Sequence, residues 1–506
     1  MDSEKGRAEK YCAGILRKPG ARVYLIGIKG TGMCALAELL LKGGAVVSGS
    51  DGDEVFYTDA ILKELGIPFF ECFDAAHIDP SFDIVIHSAA YSFGTNPEMD
   101  EARKLFLPIF KYTDALGAYS AGADSSGICG VHGKTTTTAL AGTMLRGVGA
   151  PAEILAGSGV GSFGGRSTLS MGSRYFVAET CEYRRHFLSF HPKRIVLTSV
   201  EWDHQDYFSS YDDIRDAFLE YARLLPPDGE LIYCADDPGA AEVAGLLEKE
   251  NLGIKLVPYG FNAEGEYKIT KYKVRDDRVV MALAGFPGDL RIPVPGRHTA
   301  LNAAAALALT SSIVSSYAGG WNDERREGLR NALDEFYGSS RRSEVLGEAG
   351  GILFMDDYGH HPTEIKTTLA GLKEFYPRRR LVVSFMSHTY TRTAALLNDF
   401  ASSFEDADIV ILHKIYSSAR EQYQGGITGK TLFEKTREKF FSSTSEKILS
   451  EDRVFYLDEP DNGMDLLKSI LKPGDLFITM GAGDNFRLGR KIYEYFCNHI
   501  TLRGNK

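Results

Sequence analysis

Cysteine is scarce and scattered in this chain. The seven thiols among 506 residues, Cys12, Cys34, Cys72, Cys129, Cys181, Cys234 and Cys497, include no C-x-x-C pair and no tight cluster. That excludes a disulfide-framed secreted scaffold and a cysteine-held zinc knuckle, and it fits reduced thiols of the cytoplasm. Positive charge is also short: 57 Lys and Arg face 68 Asp and Glu, a formal net charge of −11, with no basic run to offset it. A nucleic-acid partner is excluded on that ground. No apolar run approaches the roughly eighteen residues of a membrane span. The opening Met1-Asp2-Ser3-Glu4-Lys5 lacks the apolar core of a signal segment. The expectation is a cytoplasmic protein without membrane insertion. Short-period repeats and long low-complexity tracts are absent too.

What is present is an ordinary globular composition, 44% hydrophobic and 25% charged, long enough for two to four domains. Short runs rich in Val, Ile, Tyr and Phe alternate with helical patterns, the signature of parallel sheets wrapped by helices. The first block has strand candidates at Arg22 to Ile26, Ala45 to Ser48 and Ile84 to His87, and a helix from Gly32 to Lys42. Ser120-Ala121-Gly122-Ala123 reads as its closing linker. A second block has strands at Ser126 to Cys129, Tyr175 to Ala178, Arg194 to Val200 and Glu230 to Cys234. Its helices run over Thr138 to Arg146 and, alanine-rich, over Thr299 to Ser312. Gly338-Ser339-Ser340 is a second hinge. The last block repeats the theme at Ile352 to Met355, Leu381 to Phe385, Ile409 to Leu412, Val454 to Leu457 and Leu476 to Met480. The pattern reads as α/β in three domains, residues 1–121, 122–338 and 339–506.

Two glycine loops carry the chemistry. Gly130-Val131-His132-Gly133-Lys134-Thr135-Thr136 follows a strand and opens a helix. Glycines let backbone N–H groups converge on phosphate, a lysine reaches the β/γ-phosphates, and a threonine hydroxyl can ligate Mg²⁺. The position five before Gly133 is Ile128, so this is a variant of the general triphosphate pattern, and it predicts ATP. The other loop, Gly27-Ile28-Lys29-Gly30-Thr31-Gly32-Met33, runs G-x-x-G-x-G rather than G-x-G-x-x-G. Asp51 stands at the end of the next strand, where a ribose-binding acid often lies. The residues alone leave open an NAD site, another nucleotide diphosphate, and a structural turn.

Taken with V-H-G-K-T-T-T at Val131 to Thr137, E-W-D-H at Glu201 to His204, P-G-R-H-T-A-L-N at Pro295 to Asn302, D-D-Y-G-H-H-P-T-E at Asp356 to Glu364 and H-T-Y-T-R-T at His388 to Thr393, the chain resembles the Mur ligase family. These are ATP-dependent amide ligases that build the peptide stem of the bacterial cell wall. The match runs through nearly the whole sequence, and Gly32-Met33 with D-D-Y-G-H-H-P-T-E is most similar to the alanine-adding branch. The resemblance implies that residues 1–121 are a Rossmann-like domain, 122–338 a P-loop ATPase-type parallel sheet and 339–506 a second Rossmann-like domain.

The resemblance implies an enzyme joining L-alanine to the lactyl carboxylate of UDP-N-acetylmuramate through an acyl phosphate, with ATP and two Mg²⁺ ions, Mn²⁺ being a substitute, as a monomer or weak homodimer. Lys134, His204, Arg392 and His360 are its catalytic candidates. Gly130, Val131, His132, Gly133, Lys134, Thr135, Thr136, His298, Asn302, Arg342 and Asp357 would hold ATP. Gly27, Gly30, Thr31, Gly32, Met33, Asp51 and Ser88 would hold the UDP-sugar. Tyr358, His361, His388, Tyr390 and Arg392 would surround the amino acid and the muramyl carboxylate, Arg392 as a fork. Thr135, Glu179 and His204 would serve metal, with Glu182 an alternative acid sharing a face with Glu179 if that segment is helical. The adjacent pair His360-His361, with no cysteine nearby, does not make a zinc site.

Departures from the family pattern are Val131 in the phosphate loop, Cys181 and Tyr183-Arg184-Arg185 in place of an acidic stretch, Thr299 for an asparagine and Thr389 for an arginine. No lysine lies between Lys193 and Lys249, so the carbamylated lysine of some siblings is not expected. Because Arg342 and Asp357 would reach ATP only by travelling with the third block, the ligand-free protein is expected to be open. The rival readings are a sibling ligase attaching a preformed tripeptide, a nicotinamide-dependent oxidoreductase, and a degenerate nucleotide-binding regulator.

Overall fold

The computed structural model describes residues 4–417, 421, 425–443 and 453–500. Three α/β blocks follow one another. The first is a five-stranded parallel sheet whose middle strand is Arg22–Ile26, flanked by Val46–Ser50 and Ile84–His87. Its strand tips end at the Gly27–Met33 loop, and the helix Thr31–Lys42 follows at once. Burial of four of the five residues in Arg22–Ile26 fits a strand covered on both faces.

The central sheet has seven strands, with Asp124–Cys129 between Arg194–Leu197 and Tyr175–Glu179. The phosphate-type loop leaves the end of that interior strand and enters the helix Lys134–Gly147. The third sheet has six strands, five of them parallel and Glu344–Ala349 antiparallel at one edge. Expected strands are in place, but the all-parallel expectation is corrected in part. Ile269–Arg275, Arg278–Leu283 and Phe286–Ile292 form a separate antiparallel sheet, because Asp276 and Asp277 take left-handed backbone and close a tight hairpin.

The expectation of no span-length apolar segment is also corrected. The helix Arg297–Ala318 is long and apolar enough over Arg297–Tyr317 by length and composition, yet 78% of that window is buried inside the protein. It packs on Lys134–Gly147 as the core helix of the central block.

Core distribution separates the blocks unequally. One continuous cluster runs from Leu25 and Leu36 of the first block through Ile128, Leu140 and Leu307 of the central block. The third block has its own clusters on the two faces of its sheet, around Met355 and Val383 and around Phe354 and Phe477. The Ser120–Ala123 linker is packed rather than free. Ser120 is fully buried, its hydroxyl accepts from His191 N at 3.0 Å, and Arg17 lies against Gly122.

Candidate active site

Two cavities meet inside this frame. The larger, about 290 Å³, is lined by Val131 to Thr136 from the loop, by His298 and Asn302, and by Arg342 and Asp357 from the third block. Of the predicted nucleotide residues only Gly130 is outside the lining. It works from behind: a Cβ there would lie 2.1 Å from Thr198 Oγ1, and its φ of 129° suits glycine alone. At Gly133, φ is 80° and a Cβ would strike Asn302 Oδ1 at 2.6 Å. Two chain segments distant in sequence thus close on one backbone.

Lys134 opens the helix and folds back over the loop. Its Nζ donates to Gly130 O, to Val131 O at 3.3 Å and to Glu182 Oε2 at 2.9 Å. Burial alone would lower its basicity, but the Glu182 carboxylate holds it above the ordinary lysine value. Against its own burial, Glu182 is kept ionised by the same lysine and by His204, whose Nε2 lies 3.4 Å from Oε1. Thr135 Oγ1 donates to Glu179 Oε2 at 2.8 Å, and Gly157 N donates to the same oxygen.

The two acids do not share a helix. Glu179 ends a strand and Glu182 precedes a 3₁₀ turn; the bend between them still delivers both to one spot. His204 therefore approaches Glu182, not Glu179.

The third block closes the cavity. Asp357 accepts from Ser343 N at 2.7 Å and Gly359 N at 2.6 Å, while Arg342 Nη1 reaches Glu364 Oε1 at 3.2 Å. Burial raises the Asp357 carboxyl to about 6 in spite of Arg342 and those N–H donors. His298 is pushed down to about 4 by burial and by Arg342, so its ring is neutral. Burial acts in the same direction at His132, yet hydrogen bonding to Glu201, 2.8 Å away, and the nearby Glu364 outweigh it and raise the ring to about 9.

The residues expected around the amino acid gather beside this cavity, not in its lining. Tyr358, His360 and His388 form a chain of rings with centroids 5.2 and 6.0 Å apart. Burial drives His360 down to about 3. His361 caps the helix Pro362–Phe375, with Glu364 accepting from its N–H in a capping box. Tyr390 opens a short helix whose first N–H groups go to Glu421.

The expected role of Arg392 as an open fork needs correction in this arrangement. Its Nε and Nη2 both donate to Asp203 Oδ1, at 2.9 and 2.8 Å. Arg392 holds the Asp203 carboxyl well below the usual range despite burial. Left-handed backbone at both His204 (φ 53°) and Thr389 (φ 67°), worth on the order of 1–3 kcal/mol each, aims the flanking side chains at this pair.

The second cavity, about 270 Å³, lies between the first and central blocks. Gly30, Thr31, Gly32, Met33 and Ser88 line one side, and Glu179, Cys181 and His186 the other. Gly27 and Asp51 are outside the lining. Asp51 is turned inward, accepting from Lys29 N at 2.8 Å and from the Tyr91 hydroxyl at 2.9 Å. Sequence reasoning missed Tyr112, which seals the cavity where a Cβ on Gly32 would meet its hydroxyl at 2.7 Å. It also passed over Glu201, Asp203 and Glu364 as individual residues. Their signal was there, since all three lie inside the quoted motifs.

A phosphate-type loop roofed by a second α/β block and joined to a further cavity at a shared acid defines a multidomain nucleotide-using enzyme. Three matches then run in order along the chain: the Mur ligase family catalytic domain over residues 22–123, the Mur ligase middle domain over 128–310, and the Mur ligase glutamate ligase domain over 341–483. The chain belongs to the Mur ligase family. UDP-N-acetylmuramate–L-alanine ligase of Treponema pallidum is 51% identical over 95% of this chain and 98% of its own. The enzyme of that description from Borreliella afzelii is 36% identical over 92% and 97%. In the crystal structure of UDP-N-acetylmuramate-alanine ligase from Thermotoga maritima the same fold recurs, with TM-score 0.72 at 24% identity over 94% and 99%.

Proposed function

We propose that the protein is an ATP-dependent, ADP-forming amide ligase that joins L-alanine to the lactyl carboxylate of UDP-N-acetylmuramate in peptidoglycan precursor synthesis. One observation carries the reading: Glu179 lines both cavities, so a carboxylate held in the second cavity and a γ-phosphate held by Lys134 converge on it. The full-length likeness to L-alanine ligases supports that choice of substrate.

In this reading Gly130 to Thr136 and Lys134 cradle the triphosphate, and His298 and Asn302 flank the nucleoside. Arg342 and Asp357 complete the site from the third block. Gly30 to Met33 and Ser88 take the UDP-sugar. The donor set of the Thr135 hydroxyl, Glu179, Glu182 and His204 is rich in oxygen and fits Mg²⁺, with the histidine at its margin. Bound there, Mg²⁺ supplies the positive charge that lets a carboxylate approach a triphosphate.

The lactyl carboxylate oxygen attacks the γ-phosphorus in line as the bond to the β-bridging oxygen breaks, giving an acyl phosphate and ADP. The neutral amine of alanine then attacks the acyl carbon, and the tetrahedral species expels phosphate to leave an amide. His360, held neutral by burial beside Asp203 and Arg392, is placed to accept a hydrogen bond from the amine and orient its lone pair, while the departing phosphate carries off the proton. Arg392 Nη1, 3.4 Å from His388 Nδ1, would turn to a bound carboxylate while Asp203 keeps the other two donors. Position supplies much of the rate.

Domain limits at 1–121, 122–338 and 339–506, a cytoplasmic setting, and a monomer or weak homodimer complete the proposal. The test is to incubate the purified full chain with UDP-N-acetylmuramate, Mg²⁺-ATP and alanine, serine, glycine or a preformed tripeptide, and to weigh the products. The expected result is an alanyl adduct formed with equimolar ADP. An adduct only with tripeptide, or none, overturns the reading.

A further inference from the structure

In the wall of the nucleotide cavity, which His132 and Glu201 line, lies a cluster that the ligase chemistry above does not use as a metal centre. His132 comes from the phosphate loop, Glu201 from the segment after the strand Arg194–Leu197, and His361 from the third block. One ligand atom from each lies within 4.8 Å of the other two. His132 Nε2 is 2.8 Å from Glu201 Oε2, and His361 Nδ1 is 3.8 Å from that oxygen. A tetrahedral ion with bonds of about 2.0 Å wants its ligands roughly 3.3 Å apart, so these separations bracket the need.

A second observation is independent of the spacing. His361 is only 3% exposed, yet its Nε2 has no hydrogen-bond partner among the described residues; its Nδ1 accepts from Thr363 N at a long 3.4 Å, and His132 Nδ1 faces Glu364 Oε1 at 3.4 Å. Buried ring nitrogens are ordinarily satisfied. The outer contacts are those that orient ligands: Thr363 donates to the other oxygen of Glu201 at 2.8 Å, and Glu364 accepts from His361 N at 3.2 Å.

The geometry points to His132, Glu201 and His361 as a site for a divalent transition ion of the Zn²⁺ or Co²⁺ class, bridging the central and third blocks. Two imidazoles and one carboxylate suit such ions and suit Mg²⁺ poorly. The site is thus chemically distinct from the oxygen-rich set at Thr135, Glu179, Glu182 and His204. The expectation against a zinc site concerned the adjacent pair His360-His361. The ligands that join His361 lie more than 150 residues away, and only the docked arrangement assembles them. The ion takes the place of the proton shared by His132 and Glu201, which leaves to solvent. Since one ligand rides on the third block, occupancy favours docking.

Cobalt is the probe. Co²⁺ is titrated into the metal-stripped full-length protein in Mg²⁺-free buffer while visible absorption is followed. One equivalent should give d–d bands of tetrahedral intensity, without a sulfur-to-cobalt charge-transfer band. Glu201→Gln keeps the Thr363 contact, and His361→Asn keeps a helix-capping side chain; each should weaken binding at least tenfold in protein shown to be folded by circular dichroism. His204→Ala, which removes the candidate Mg²⁺ partner, should retain the bands. Unchanged binding in both ligand variants, loss of the bands in His204→Ala, absence of bands in wild type, or thiolate charge transfer would each overturn the assignment. A parallel scattering measurement should show the radius of gyration of wild type no larger with Co²⁺ than without it; an increase would overturn the assignment.

Discussion

The two junctions between blocks are built from different materials. Between the first and central blocks the hydrophobic core is continuous, the helix Tyr112–Ala121 packs on the 3₁₀ segment Tyr183–Ser189, and the Tyr119 hydroxyl donates to Glu153 at 2.9 Å. Arg166 adds a pair with Glu64 at 2.8 Å. Between the central and third blocks the contacts are mostly polar: Asp203 with Arg392, Glu201 with Thr363, His132 with Glu364 at 3.4 Å and Tyr272 with Glu374 at 2.7 Å. Of the third block's buried apolar residues, Phe375 alone joins the shared core among the described residues.

Separating an apolar face exposes area at about 25 cal/mol per Å² with nothing in return, whereas separated polar groups find water. One cavity therefore has fixed walls and the other a movable roof. The structure holds that roof docked, not open as expected from the sequence, with the buried Asp203–Arg392 pair closing the junction.

The largest effect should come from the loop beneath the movable roof. Lys134→Ala is expected to lower kcat by roughly 10²- to 10³-fold, while UDP-N-acetylmuramate binding at the fixed-wall cavity stays near wild type by calorimetry. Activity within threefold, or loss of sugar binding with the fold intact, would erase the distinction between the cavities. NAD should not bind. The full chain is needed for this titration, since a fragment ending at 121 would expose the shared core.

Next comes the junction itself. Asp203 and Arg392 are about 6% and 5% exposed in their side chains, and removing one partner of such a pair typically costs about 3–5 kcal/mol. Asp203→Ala should therefore loosen the third block, seen as a larger radius of gyration by small-angle scattering, while Asp203→Leu with Arg392→Met should recover most of the loss. In wild type, a non-hydrolysable ATP analogue with Mg²⁺ and UDP-N-acetylmuramate should leave the radius equal to or below that of the unliganded protein. An increase on ligand binding would withdraw the roles given to Arg342 and Asp357.

A smaller effect belongs to pH. Asp357 titrates near 6 in the folded protein against an ordinary 3.8. Below pH 4 both states are protonated and the group is neutral to stability. Between pH 4 and 6 the unfolded chain ionises first, so stability falls, and above 6 the full penalty, about 2–3 kcal/mol, is in place. Asp203 acts with the opposite sign: its contribution is present above the ordinary carboxylate range and is lost as pH falls. Urea midpoints for wild type minus Asp357→Asn should show the decline between 4 and 6. A flat difference would mean that the carboxyl is solvated.

The smallest change is expected at the fixed junction, where Arg17→Ala, which removes the pair with Glu153 at 3.5 Å and the stacking on Tyr119, should cost about 1 kcal/mol and leave the radius unchanged. A radius increase there would show that both junctions open.

The sequence by itself determined the three-block α/β plan, both glycine loops and the order of motifs, because these rest on local periodicity and on backbone conformations that glycine supplies at Gly130 and Gly133. It could not show that the Ser120–Ala123 linker is packed. Nor could it show that Asp51 turns inward to Lys29 and Tyr91, or that Asp203 occupies two donors of Arg392. Those are choices among partners, and partners are fixed by which segments the packed core brings together. The meeting of Glu179 with both cavities, and of His132 and Glu201 with His361, was decided in the same way. A carboxylate or an imidazole carries its chemistry in the sequence, but charge and hydrogen bonding act over a few ångströms, and only tertiary structure sets distances that short.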